Sequence, residues 1–357
     1  MENLMKSGSV DKSFWLGKRV FITGHTGFKG SWLSIWLHNL GAIVQGYSLV
    51  PKDDLNLFTL AKLNKLIKGD FCDVRNLEDL KKSIINFSPD IVFHLAAQPL
   101  VVDSYYQSAE TFEINVLGTV NLFEACRGCD TIKAIINITT DKVYENNNKI
   151  VKFDEESALG GHDPYSSSKS CSELVSKCYT KSFFSNLDVG VATARAGNVI
   201  GGGDWAHNRL VPNAMKAFSD NETLVIRSPS SVRPWQHVLD PLNGYLLLAE
   251  KLFVSPNSFS GSWNFGPNDD AFKTVLEVVE LISTEWVNSK WKIIESNNLY
   301  EAQELRLDVQ KAFDFLGWRA KIPLKVAVKN VTNWHKMWLS GQDLFQFSSN
   351  EIEDYQV

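Results

Sequence analysis

Three short segments of the 357-residue chain combine residue types and spacings that could do chemistry together. Gly24-His25-Thr26-Gly27-Phe28-Lys29-Gly30 sets three glycines at intervals of three. That spacing lets the backbone turn tightly. It also lets a pyrophosphate approach a helix N-terminus, where free N–H groups and the dipole favour negative charge. Tyr165-Ser166-Ser167-Ser168-Lys169 puts a phenol and an ammonium four residues apart, on one face of a helix. A neighbouring cation favours the phenolate, so Tyr165 is expected to ionise below the usual phenol value of about 10. Such a phenol can take the proton of a substrate hydroxyl while a hydride leaves for a nicotinamide. The third segment is Thr139-Thr140-Asp141-Lys142. Taken alone, its Asp-Lys dipeptide reads as a loop ion pair. Glycine triplets and Tyr-x-x-x-Lys matches are common by chance, so their meaning depends on the elements that carry them.

Those elements alternate. Residues 19–23 read as a buried strand, followed by the Gly-rich turn and a helix over 32–40. Strands over 42–47, just before Asp70, and over 91–95, 134–138 and 189–194 alternate with helices over 77–86, 109–126 and 165–183. Strands that are apolar throughout, with helices between them, predict a parallel sheet covered on both faces. The fold class is therefore α/β: a Rossmann-like doubly wound parallel sheet with a smaller C-terminal α/β substrate-binding domain. The boundaries are 14–198 for the dinucleotide domain, with a later contribution near 233–265, and 199–339 mainly for the substrate domain. Residues 340–357 are acidic without a clear period and are expected to be a flexible tail.

Composition excludes other classes. With 36 Lys and Arg against 41 Asp and Glu, the net charge is -5, which does not suit a phosphate backbone as main partner. No stretch approaches the roughly 18 consecutive apolar residues of a membrane helix. The N-terminus has an early Glu and no apolar core of a signal peptide, so a soluble, cytoplasmic protein is expected. Five Cys are too few and odd for a disulfide framework. Cys126-Arg127-Gly128-Cys129 has zinc-knuckle spacing but no second pair, so no metal is expected. Cys171 and Cys178 read as buried thiols, and His38 and His94 as structural. At the end of the second strand stands Ser48, where an acidic residue usually binds the ribose of NAD. No Arg lies between Arg19 and Arg75 to clamp a 2'-phosphate, although Lys52 could supply a cation. NAD is favoured over NADP. Asp73 is either a partner for an adenine amino group or an ordinary solvated carboxylate.

With these residues in view, the chain resembles an extended short-chain dehydrogenase/reductase. The match is carried by Gly24, Gly27 and Gly30, by His94-Leu95-Ala96-Ala97, by Asn115-Val116-Leu117-Gly118-Thr119, and by Tyr165 with Lys169. It runs from about Phe14 to about Leu339. The resemblance implies NAD held by Gly24, His25, Thr26, Gly27, Phe28, Lys29, Gly30, Ser48, Asp73, Val74, Leu95, Ala96, Ala97, Gln98, Asn115, Thr139, Tyr165 and Lys169. It also implies a nucleotide-sugar substrate whose 4-OH bonds Thr140. The helices over 109–126 and 165–183 match the pair that forms a four-helix interface in this family, which implies a homodimer or a dimer of dimers.

Within the family, most 4,6-dehydratases have Asp-Glu where this chain has Asp141-Lys142. Asp-Lys is similar to the CDP-D-glucose 4,6-dehydratases. So are Phe14-Trp15-Leu16-Gly17-Lys18, Asp163-Pro164-Tyr165, the run from Arg195 through Asn198 to Trp205, and Arg233-Pro234-Trp235-Gln236-His237-Val238. That likeness implies CDP-D-glucose as substrate, with Tyr165 as base at the 4-OH, Lys142 taking the C5 proton and Asp141 protonating the departing C6 hydroxyl. Arg233, Asn198 and Arg209 are the implied diphosphate donors; Trp205, Trp235 and His237 could line the pocket. The product would feed deoxysugar synthesis for surface polysaccharide such as O-antigen. The chain departs from the subfamily at Tyr300-Glu301-Ala302-Gln303-Glu304, where His-Glu-Ala-His is common. Two other readings stay open: a nucleotide-sugar 4-epimerase, and a non-catalytic dinucleotide-binding regulator.

Overall fold

The computed structural model describes residues 8–146, 152–294 and 305–357; the departure at residues 300–304 lies outside them. Strands β1 (Arg19–Thr23), β2 (Ile43–Ser48), β3 (Lys68–Phe71), β4 (Ile91–His94) and β5 (Ala134–Ile138) come first, then the short β6 (Lys152–Phe153) and β7 (Gly190–Ala196). Strands β8 (Asn198–Ile200), β9 (Thr223–Ile226), β10 (Val232–His237), β11 (Gly261–Phe265), β12 (Phe272–Thr274), β13 (Lys290–Ile293) and β14 (Arg306–Leu307) follow. Seven form one sheet in the order β11-β7-β5-β4-β1-β2-β3. Every pairing in it is parallel. The fold is the doubly wound α/β sheet that the alternation predicts. The order reverses beside β1, which opens a crevice at the carboxyl ends of β1 and β4, where such sheets bind ligands.

The central strands are apolar because helices cover both faces. β4 and β5 are buried at every residue. Helix Leu77–Phe87, capped by Asn76, covers one face with residues 108–127. Helices Phe28–Asn39 and Leu239–Val254 cover the other, within one apolar cluster that includes Val20, Ile22, Phe93 and Ile136. β11 and helix Leu239–Val254 come from residues after β8–β10, so the chain returns to the large sheet late. The smaller sheet β12-β10-β8 joins β10 and β8 in parallel. It packs with helices Leu210–Ser219, Val275–Glu285 and Leu324–Leu339 around a second core.

Two expected helices run with a local change of winding. Residues 108–127 contain a π turn at Glu113–Leu117. Helix Pro164–Tyr179 passes into another at Thr180–Phe184. No helix among the described residues is long and apolar enough to cross a membrane. Cys178 is exposed and Cys171 half-buried, because both lie off the face of their helix that packs on the sheet. His38 is exposed in the last turn of its helix.

The C-terminal segment corrects the expectation of a flexible tail. Helix Leu344–Gln356 is capped by Asp343, and Leu344, Ser348, Ile352 and Tyr355 are buried. Tyr355 packs edge-on against Trp36 at 5.5 Å and donates to Asp240 Oδ1 at 3.0 Å. Glu353 and Asp354 occupy the outer face, whereas Glu351 turns inward. The inner stripe includes serines, so its helical period is weak in the sequence and only the seat on helix Phe28–Asn39 makes it apolar enough to dock.

At the N-terminal end, the turn Lys12–Trp15 is pinned to helix Leu239–Val254. Glu250 Oε1 accepts from Trp15 Nε1 at 2.7 Å and from Asp11 N at 2.9 Å. Burial pushes the Glu250 carboxyl up from 4.5 to about 7, against the pull of those two donors. A folded pKa above the unfolded one contributes stability that is complete below 4.5 and lost as pH rises through about 7. Glu250→Gln keeps an acceptor oxygen and removes the titration. Its thermal midpoint should therefore fall less than the wild type's between about pH 5 and about pH 8. Parallel curves from calorimetry would contradict this.

Candidate active site

A cleft of about 1280 Å³ runs along the carboxyl ends of the central strands and out between β8, β9 and β10. A separate hollow of about 520 Å³, lined by Arg19, His38, Lys68 and Asp70, lies elsewhere on the sheet. The three candidate segments meet only in the larger one.

The Gly-rich segment joins β1 to helix Phe28–Asn39, with Gly27 as N-cap. Gly24 adopts φ +75°, and a Cβ there would lie 2.6 Å from Ala96 N. A Cβ on Gly30 would collide with Gly24 O. Both glycines are therefore required for the loop to close against β4, which presents the first N–H groups of the helix to the cleft. Thr26 Oγ1 lies 2.7 Å from Ser48 Oγ, tying the loop to the end of β2. Gly24, Thr26, Gly27, Phe28, Lys29, Gly30, Ser48, Asp73 and Val74 line the cleft, as do Lys52, Leu95, Ala96, Ala97 and Thr139. Although burial opposes it, the bonds from Arg75 hold the Asp73 carboxylate below its ordinary range.

Three residues expected at the cofactor do not reach it with their side chains. The His25 ring is fully buried and fills the space over Gly46 and Gly69, edge-on to Phe58 at 5.2 Å. Burial pulls it down to about 4, so it is neutral. Asn115 spends its amide inside the fold. Its Oδ1 accepts from Gln98 N at 2.9 Å, and its Nδ2 donates to Gln98 O at 3.1 Å and Ser168 Oγ at 2.9 Å. Gln98 Nε2 in turn donates to Thr111 Oγ1 and Leu100 O. These amides hold the loop that presents Leu95, Ala96 and Ala97. His94 is structural as expected: Nδ1 lies 2.7 Å from Thr23 Oγ1, and burial brings the ring to about 3.

β5 delivers Thr139 and the short turn Asp141–Val143, capped by Thr140. Thr140 Oγ1 donates to Asp141 Oδ1 at 3.0 Å and also bonds the Tyr165 side chain. Helix Pro164–Tyr179 starts at the N-cap Asp163, with Pro164 in its first turn, so Tyr165 stands at the mouth and Lys169 one turn below. Thr140, Asp141, Lys142, Tyr165 and Lys169 all line the cleft.

The phenol does not behave as its spacing to Lys169 suggests. Burial pushes Tyr165 up to about 12, and the bond to Thr140 only moderates this. Lys169 Nζ points at the sheet and donates to Ile138 O at 3.1 Å. Burial lowers it to about 8, opposed by Glu173. Asp141 is 3% exposed. Its burial raises its pKa, although Lys142, Thr140, Lys29 and Arg233 pull the other way. It is thus biased toward the protonated form.

Asn198, Arg209, Arg233 and Trp235 line the outer half of the cleft, and Trp205 joins them. Arg209 is paired with Asp204 at 3.0 Å. His237 does not line the cleft. It is fully buried below the floor, 3.3 Å from Glu351 of the C-terminal helix, because β10 runs inward past Trp235.

Some contributors carry no signal in the sequence. Arg227 and Val225 line the far end from β9, and Tyr105 lines the wall from helix Val101–Tyr106. Lys29, read from the motif as part of the loop, reaches deeper than its neighbours. Burial lowers its ammonium to about 8, helped by Arg209 and Lys169 and opposed by Asp141 and Asp204. Among the described residues, no cluster of three or more His, Cys, Asp or Glu is placed to hold a metal ion.

A Tyr-Lys helix beside a Gly-rich loop on a doubly wound sheet is the arrangement of the extended short-chain dehydrogenase/reductase fold. Residues 21–331 match the family model described as GDP-mannose 4,6 dehydratase, and the chain belongs to that family. It is 47% identical to the CDP-glucose 4,6-dehydratase of Salmonella typhimurium, over 97% of this chain and 98% of the relative. Among solved structures it is similar to dTDP-glucose 4,6-dehydratase from Bacillus anthracis in complex with NAD. There the TM-score is 0.77 at 21% identity, covering 92% of this chain and 100% of the other. A UDP-glucose-4-epimerase from Stenotrophomonas maltophila also has a TM-score of 0.77, at 18% identity, covering 90% and 99%. Dehydratase and epimerase share this fold, so the backbone alone does not distinguish them.

Proposed function

We propose that the chain is an NAD-dependent CDP-D-glucose 4,6-dehydratase, a hydro-lyase that makes CDP-4-dehydro-6-deoxy-D-glucose and water. The observation that carries this is the meeting of Thr140, Asp141, Lys142, Tyr165 and Lys169 in one cleft. The 47% identity to a CDP-glucose 4,6-dehydratase supports it. A 4-epimerase has no use for a buried carboxyl biased toward protonation beside Thr140.

The cradle fits a dinucleotide. The turn through Gly24 and Gly27 opens the first N–H groups of helix Phe28–Asn39 to the cleft, Thr26 and Ser48 offer hydroxyls to a ribose, and Leu95, Ala96 and Ala97 form an apolar wall. When bound, NAD supplies a hydride acceptor for C4 and a hydride donor for C6. The chain supplies the rest. Thr140 orients the 4-OH and Tyr165 takes its proton. Lys169 sits below as a cation. The C4 ketone acidifies C5–H, and Lys142, as the neutral amine, takes that proton and returns it to C5 when C6 is reduced. Asp141 gives its proton to the C6 oxygen, which leaves as water. Asn198, Arg209 and Arg233 hold the diphosphate, where guanidinium forks suit phosphate oxygens. Trp235 stands beside them.

The chain acts as a homodimer through residues 108–127 and helix Pro164–Tyr179. Phe112, Leu117 and Leu174 on these elements are exposed, an apolar surface that a second copy would cover. Five unpaired cysteines suit a reducing, cytoplasmic setting.

The test is incubation with CDP-glucose and, in parallel, with UDP-, dTDP- and GDP-sugars, followed by mass spectrometry. Loss of one water from CDP-glucose alone is the expected result. An isomerised product without water loss would replace this reading with an epimerase.

A further inference from the structure

The turn that carries Asp141 and Lys142 is held at both ends by one buried ion pair. Glu173 and Arg195 meet through two 2.9 Å contacts, each side chain 2% exposed. At the front of the turn, Thr139 Oγ1 donates to Glu173 Oε1 at 2.5 Å. At the back, Arg195 Nη1 donates to Tyr144 Oη at 2.6 Å. Tyr144 Oη donates onward to Asn264 Oδ1 at 2.7 Å. Glu173 also accepts from Thr193 Oγ1 at 2.6 Å, and Arg195 Nη2 donates to Ser262 Oγ at 2.8 Å. Burial opposes the Glu173 charge, but Arg195, Thr139 and Thr193 hold its carboxyl below the ordinary range.

Glu173 follows Tyr165 and Lys169 on one helix at two successive steps of four, so all three share a face. The helix that presents the phenol therefore also grips the loop that presents Asp141. Arg195 lies on β7, paired beside β5 in the sheet. A buried ion pair is weak evidence for stability, since an apolar replacement is often no worse. Two of this pair's partners, Thr139 and Tyr144, stand at the two ends of one six-residue turn, so what it supplies there is position.

We propose that Glu173, Arg195 and Tyr144 are positioning residues for the elimination half of the reaction. They set where Asp141 and Lys142 stand relative to Tyr165. The proposal rests on the dehydratase reading above. It separates two halves of the chemistry: Tyr165, Lys169 and Thr140 act at C4, while Asp141 and Lys142, nearer the Tyr144 end, act at C5 and C6.

Tyr144→Phe is the test. It removes one oxygen and keeps the ring stacked on Phe153 at 5.1 Å. The kcat for water loss should fall by about tenfold to a hundredfold, the scale of a misplacement near 1 Å, with KM within about twofold. Quenched reactions should contain CDP-sugar oxidised at C4 that keeps its C6 hydroxyl. Hydrogen exchange by mass spectrometry should speed up in the peptide spanning residues 139–144 and stay unchanged in the other sheet peptides. Arg195→Lys, which keeps a charge against Glu173 but loses the fork, should show the same partition. Wild-type kcat in both variants, or a loss of rate without the oxidised sugar, would overturn the proposal. A wild-type enzyme that removes no water from CDP-glucose would overturn the dehydratase reading itself and the elimination role with it.

Discussion

Tyr165→Phe should lower turnover of CDP-D-glucose by about a thousandfold, within the range that positioned acid–base groups contribute. The substitution removes one hydroxyl from a side chain 8% exposed and bonded to Thr140. It leaves the ring in place, so binding should change little and KM should stay within a few-fold. The loss should appear equally in kcat and kcat/KM, as expected for an interaction made only in the transition state. It should also precede all later chemistry: no oxidised sugar and no deuterium at C5 in heavy water. With Tyr165 pushed up to about 12 in the unliganded protein, the phenol is almost wholly protonated at neutral pH. The oxidation step at C4 in the wild type should therefore speed up as pH rises from neutrality. A Tyr165→Phe enzyme within tenfold of wild type would remove Tyr165 from the reaction.

Asp141→Asn should stop the reaction one step later. Asn fills the same volume but cannot give up a proton to the C6 oxygen. Water loss should fall by about a hundredfold or more, while oxidation at C4 continues. If Lys142 takes the C5 proton, Asp141→Asn should still exchange C5–H with heavy water, and Lys142→Ala should not. Mass spectrometry of the recovered sugar nucleotide separates the two. In the wild type, burial raises the Asp141 pKa, so the acid form persists to higher pH than an ordinary carboxyl. The elimination limb should fail as pH rises through that raised value. Full dehydration by Asp141→Asn would assign the proton to another donor. Lys29, whose ammonium lies near Asp141 and is lowered to about 8, would then be the next residue to substitute.

Local sequence determined a good deal. The apolar runs at β1, β4 and β5 could only be covered strands, and the glycines at Gly24 and Gly30 could only serve a tight loop against a neighbouring strand. The helix that carries Tyr165 begins within one residue of its expected start. The resemblance named the residues that line the cleft well where the backbone itself faces it, as at Leu95, Ala96 and Ala97.

It failed where a side chain chooses between the cleft and the interior. His25, Asn115 and His237 sit at motif positions, yet each turns inward: His25 fills space that Gly46 and Gly69 leave, Asn115 bonds the backbone of Gln98, and His237 lies against Glu351 of the C-terminal helix. The phenol's ionisation also could not be read from spacing. Lys169 was expected to lower it, but the ammonium is drawn to Ile138 O, and burial prevails.

Secondary-structure type, the parallel doubly wound sheet and the three reactive segments thus came from sequence, since periodicity and turn chemistry are local. The docking of Leu344–Gln356, the inward turn of His237 and the Glu173–Arg195 grip on residues 139–144 came only from tertiary structure. Each depends on partners far apart in the chain, and burial and pairing energies exist only once those partners meet.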